Sequence, residues 1–176
     1  VYGKALPGSR VSQDGQAVRV SDQGDFLLGF TRDAPATSQL RIELPDGKVE
    51  QRSLQVAARE YRIQRIDGLP KSKVTPRSPE DLARIRRDAV AVRKARVRDD
   101  DRQDFLGGFV WPVTGPISGV YGSQRILNGE PRRPHVGVDV AAPVGTPVRA
   151  PAAGVVSLAE LDLFFSGGTL IIDHGH

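Results

Sequence analysis

Apolar and polar residues alternate with a period of two in the segment Leu40-Arg41-Ile42-Glu43-Leu44, which predicts a strand with one buried and one wet face. Pro45-Asp46-Gly47 follows as a turn, and Val49, Leu54 and Val56 resume the apolar pattern. Further turn signals stand at Asp14-Gly15 and Gln23-Gly24, where the residue types tolerate positive φ. Phe26 to Phe30 reads as a more buried strand, and Tyr61 and Ile63, alternating with Arg62 and Gln64, as a last one. Short strands with regular turn signals indicate a sandwich or barrel. Residues 1–70 are therefore expected to form a small antiparallel β-sandwich of immunoglobulin-like type. This region has no histidine, and its acids lie mainly in turns, so it is read as an accessory domain.

The period changes after residue 77. Ser78-Pro79-Glu80-Asp81 has serine as N-cap, proline at the first helical position and acids at the positive end of the helix dipole. Leu82, Ile85, Ala89, Val92 and Ala95 form an apolar stripe at helical spacing, with arginines on the other faces. The helix is expected to fade before Asp99-Asp100-Asp101, and Gly107-Gly108 to release the chain. Residues 71–108 thus read as a helical connector whose stripe packs on the flanking domains. From residue 109 to 176, apolar segments at Ile117–Tyr121, Val136–Val140, Gly154–Leu158 and Thr169–Ile172 are separated by Pro-Gly punctuation and predict short strands. The fold class is mainly β.

All three histidines lie in the last 42 residues, and the first opens His135-Val136-Gly137-Val138-Asp139. Imidazole nitrogen and carboxylate oxygen are both zinc ligands, and a catalytic zinc keeps one position open for water. On an extended strand the two residues would sit about 13 Å apart at ~3.3 Å per residue, too far to share one ion. Pro134, Gly137 and the β-branched valines disfavour a helix. A ligand role for His135 and Asp139 therefore requires a bend, and Gly137 is the residue best able to allow it.

The surroundings make the pattern more specific. The chain reads F-V-W-P-V-T-G-P-I-S-G from Phe109, then P-H-V-G-V-D-V-A-A-P-V-G-T-P-V-R-A-P-A-A-G-V-V, then G-G-T-L-I-I-D-H-G. Over about residues 109–176 this resembles the lysostaphin-type, or LytM-type, zinc endopeptidases, which cut peptide stems and cross-links of bacterial peptidoglycan. The resemblance implies an open antiparallel sheet with a groove, a bound Zn, and His135 and Asp139 as two of three ligands. It places the third ligand in an H-x-H motif after the I-D-H-G segment, with the acid-base histidines in that motif and in a Tyr-x-His segment. None of these is present in the 176 residues. His174-Gly175-His176 imitates an H-x-H, but Leu170 to Gly175 matches the earlier segment, so His174 and His176 are not assigned as ligands. The catalytic residues thus remain unknown, the chain is read as a fragment, and alone it is expected to be inactive.

Arg125 and Asn128, in the loop before His135, are candidates for holding a peptide carboxylate or amide, since arginine forks suit carboxylates. Trp111 and Tyr121 are assigned to core packing. The expected partners are peptidoglycan peptides, and the expected location is the bacterial cell envelope, periplasmic or secreted. A second reading is a catalytically inactive member of the family that binds wall or activates a separate amidase; intact early ligands argue against it.

Composition changes the picture little. No cysteine is present, so no disulfide forms, and no stretch of about 20 apolar residues exists to span a membrane. Net charge is +4, from 25 basic and 21 acidic residues, and a basic surface favours anionic partners. Between Arg77 and Arg98 eight Arg or Lys stand against three acids. No aromatic is interleaved there for base stacking, so nucleic acid is excluded as a partner and the cluster reads as a solvated helix face. Sequence sets no oligomeric state.

Overall fold

The structure, a computed structural model, describes residues 1–69 and 78–175. His176 and the residues from 70 to 77 lie outside it. The chain divides into two compact units, Val1–Glu60 and Tyr61–His176. Among the described residues it is mainly β, with one α-helix and several antiparallel sheets.

In the first unit, strands β1 (Tyr2–Lys4) and β4 (Asp25–Leu27) form an antiparallel pair. Strands β2 (Arg10–Gln13), β3 (Gln16–Val18), β5 (Thr37–Glu43) and β6 (Val49–Gln55) form a four-stranded sheet in the order β3-β2-β5-β6. The β2–β3 hairpin closes through Asp14 and Gly15, both at positive φ (49° and 81°). That pairing suits a two-residue turn whose twist matches the strands. The Asp14 carboxylate accepts from the Gln39 N–H and the Ser38 hydroxyl, tying the turn to β5. The alternation read from sequence is present: Ser38, Leu40 and Ile42 are buried while Gln39 and Arg41 are exposed. Val11, Phe26, Leu28, Leu40 and Ile42 form the core, so both sheets contribute to it. Gly3 lies against the Phe26 ring, where an added Cβ would stand 2.3 Å from the ring carbons.

On the edge strand β6, Glu50 and Arg52 stand opposite Ile42 and Leu40. They line, with these core residues, an open cavity of about 770 Å³. An inward charged pair on an edge strand discourages further strand addition.

The second unit begins one element earlier than the sequence pattern suggests. The alternation at Tyr61–Gln64 was expected to close the N-terminal sheet; instead β7 (Ile63–Ile66) runs parallel to β9 (Gln124–Leu127). Period-two alternation marks a strand but does not name its partner. β9 also pairs antiparallel with β10 (Glu130–Pro131). Strand β8 (Ile117–Gly119) pairs with β11 (Asp139–Val140), and β12 (Val155–Leu163) with β13 (Gly167–Asp173). The expected single sheet is thus three small ones among the described residues, one of them containing a parallel pair.

Helix α1 (Pro79–Ala95) has Ser78 as its N-cap, accepting the Asp81 N–H at 3.0 Å. It fades before the three aspartates, as read. Its inward face differs from the apolar stripe: Leu82 and Ala89 are exposed, whereas Arg84, Ile85, Asp88, Val92 and Ala95 are covered to varying degrees. Polar contacts turn the helix. Arg84 donates to the Asp162 carbonyl and carboxylate at 2.8 and 2.7 Å, and Asp88 accepts the Phe164 N–H at 2.8 Å.

The N-terminal unit should be acid-sensitive through Asp25, a buried residue. The Tyr2 hydroxyl, opposed by burial and aided by the Lys4 ammonium and Ser21, holds the Asp25 carboxyl below its ordinary range. Because the folded pKa is depressed, this stabilisation is complete above the unfolded value of about 3.9 and is lost as pH falls through the folded one. Thermal melts should show the unit weakening below about pH 4, and Asp25→Asn should flatten that dependence while lowering stability at neutral pH.

Candidate functional site

The run from Pro134 to Val140 approaches one short stretch of chain, residues 119–123. The His135 N–H donates to Ser123 O at 2.8 Å, and Gly122 N–H donates to His135 O at 2.7 Å. The imidazole Nδ1 lies 3.2 Å from Val120 O. A carbonyl only accepts, so it suits a proton on Nδ1, and a neutral ring in that tautomer has the Nε2 lone pair free for a metal. Gly137 sits in a bend, and after it Asp139 pairs across from Gly119, with a register irregularity between Asp139 and Val140.

This bend brings His135 Nε2 to 3.2 Å from Asp139 Oδ1. Two ligands of one tetrahedral zinc, each bonded at about 2.0–2.1 Å, stand about 3.3 Å apart. Nε2 faces the carboxylate, the second ring nitrogen lies against a backbone carbonyl as in metal-bound histidines, and both side chains reach solvent. The pair therefore fits two positions of a zinc site. Among the described residues no group of three or more His, Cys, Asp or Glu assembles to hold a metal.

His174 stands elsewhere: its Nδ1 meets Ala153 O, and its ring packs edge-on against Phe109. His176 lies outside the described residues. Arg125 is exposed on β9, where its carbonyl accepts from the Arg132 N–H. Asn128 is engaged at both ends of its amide, accepting from Leu69 N–H at 3.0 Å and donating to Leu69 O at 2.7 Å. It is also the first residue of the β9–β10 turn, with φ 50° followed by Gly129 at 79°. Asn-Gly is a strong signal for a two-residue hairpin turn, and it could have disclosed this turn from sequence. Trp111 is 56% exposed rather than packed in a core. It lines a shallow hollow of about 330 Å³ with Pro147 and Arg149, whose Nε donates to the Trp111 carbonyl. Tyr121 meets Tyr61 edge-on at 6.4 Å.

Gly119 is the site residue that pattern reading missed. A Cβ there would stand 2.2 Å from Asp139 Oδ2 and 2.9 Å from its Cγ. The carboxylate is the free end of a side chain and would yield, so Gly119→Ala should leave the fold intact and swing Asp139 away from His135. We expect a stability change below about 1 kcal/mol by thermal melting, as for a substitution that avoids the core. Zinc affinity should fall about 10–100-fold, in the range for loss of a ligand-orienting contact, read by competition with a chromogenic chelator. Gly115→Ala is the contrast, because its Cβ would meet the backbone oxygen of Ala141 at 2.1 Å and the cost would fall on folding.

No curated protein matches this chain significantly. The sequence model of peptidase family M23 matches residues 133–176, the stretch that begins just before His135 and runs through β13. This match is consistent with a LytM-type family member in the C-terminal part of the chain.

Proposed function

We propose that the chain carries part of a zinc-dependent endopeptidase that hydrolyses amide bonds in peptidoglycan peptides, in the bacterial cell envelope. The family match suggests a peptidase-type function. The observation that carries the finer reading is the 3.2 Å approach of His135 Nε2 to Asp139 Oδ1 with Nδ1 held on Val120 O. When bound, zinc supplies an acidified water and polarises the scissile carbonyl. His135 and Asp139 hold it, and the Val120 carbonyl keeps the imidazole in the tautomer that can do so. Arg125 offers its exposed guanidinium to a stem carboxylate, and Asn128 supports it by fixing the hairpin on which it stands. The N-terminal unit is read as an immunoglobulin-like accessory domain. No helix among the described residues is long and apolar enough to cross a membrane.

A second reading, a wall-binding or amidase-activating module without turnover, is favoured by one feature: only two ligands assemble among the described residues. Both readings are separable. The 176-residue chain should bind zinc weakly, and His135→Ala and Asp139→Ala should each abolish that binding in calorimetric titration. Muropeptide cleavage by the chain should be absent with zinc added, and should appear when it is joined to a segment supplying a third ligand and acid-base histidines. Zinc binding unaffected by either alanine would sink the metal site; a completed domain that binds zinc without cleaving muropeptides would select the non-catalytic reading.

A further inference from the structure

The outward face of α1 has a composition that its packing does not explain. Arg86, Val90, Arg93 and Val97 follow one another at spacings of four, three and four, so they form a single row along the helix and its closing turn. The row spans about 16 Å at ~1.5 Å per residue. Lys94 stands beside it. Val90 is 60% and Val97 73% exposed, and the three cations are exposed as well.

Apart from Arg96 at the helix end, the other cations of this region are matched by acids. Arg84 pairs with Asp162, Arg87 with Asp88, and Arg98 with Asp100 and Asp173. Among the described residues Arg86, Arg93 and Lys94 have no such partner. Of the helix's acids, Glu80 and Asp81 stand in its first turn and Asp88 accepts from the Phe164 N–H.

We propose that this face docks on an anionic lipid surface. A straight row of cations suits a flat array of negative headgroups, where each Lys or Arg adds electrostatic attraction. The interleaved valines distinguish this partner from a soluble polyanion, because small apolar side chains gain from entering the headgroup boundary. Nucleic acid is disfavoured by the lack of aromatics on the helix. Docking of this kind would hold the second unit at a membrane face by a reversible contact, independently of the metal site.

The test is co-sedimentation of the 176-residue chain with vesicles of phosphatidylglycerol mixed into phosphatidylcholine, and with pure phosphatidylcholine. Binding is expected to the first only and should be lost as NaCl rises from about 0.05 to about 0.5 M. Arg86→Glu combined with Arg93→Glu should weaken it by about tenfold or more with an unchanged circular-dichroism melt. Reversal of Arg10 and Lys48, which alters net charge equally, should weaken it far less. Val90→Ser with Val97→Ser should also lower vesicle affinity. No binding to anionic vesicles, or equal losses from the two charge reversals, would overturn the proposal. Binding to heparin as tight as to vesicles, with the double serine variant unchanged on both, would overturn it in favour of an anionic polymer.

Discussion

The close approach of His135 and Asp139 depends on backbone restraint from one short segment. Gly119, Val120, Gly122 and Ser123 supply, in turn, an open space beneath the Asp139 carboxylate, an acceptor for the imidazole, and both halves of the pairing with the His135 peptide. Two residues four apart have no intrinsic reason to meet outside a helix. Here the meeting is imposed by an antiparallel neighbour that pairs with the run at each end and leaves the bend between. Gly122 adds a further constraint, since its φ of 84° and a would-be Cβ 2.0 Å from the Tyr61 ring both demand glycine. The site therefore extends back to the first residues of the second unit.

Much of this was readable where a residue's role is local. The cap of α1, the Asp14-Gly15 hairpin, the strand alternation of β5 and the bend at Gly137 follow from propensities and periods that act over a few residues. Partner choice was not readable in the same way. Ile63–Ile66 has the pattern of a strand, but its parallel pairing with Gln124–Leu127 depends on chain about sixty positions away. Gly119 matters only because Asp139 lies across from it, and nothing in the sequence near Gly119 mentions Asp139. The misassignment of Trp111 has a different origin: large aromatic side chains are highly buried on average, and that average gives no information about one ring beside Pro147 and Arg149.

The inward face of α1 shows how polar geometry can override an apolar pattern. An isolated ion pair at an exposed position is worth little, so the Arg84–Asp162 contact is not the reason for docking on energetic grounds. Asp88 is the stronger term, because it satisfies the Phe164 N–H where β12 ends. A covered backbone N–H left without an acceptor costs about 1–3 kcal/mol. Rotating the helix to bring Asp88 inward exposes Leu82 and Ala89, a small loss for two side chains of which one is alanine.

The chain between α1 and the η-turn at Asp104–Gly107 is fixed to the end of β13 by a compact charge network. Arg102 donates to the Asp173 carbonyl at 2.9 Å and pairs with Asp100 and Asp104, while Arg98 approaches the Asp173 carboxylate at 2.9 Å. A Cβ at Gly175 would fall 1.8 Å from Arg102 O, so the two backbones touch. Burial pushes the Asp100 carboxyl up, but hydrogen bonds from the Arg98 and Arg102 guanidinium groups together outweigh it and hold the carboxyl below its usual range. Networks of this kind hold position better than single pairs, because each fork fixes the plane of the next. The segment described from sequence as a connector is therefore built into the second unit at two places, through Asp88 on β12 and through Arg102 on β13. The helix and its following turn are thus tied to the strand that ends at Asp173.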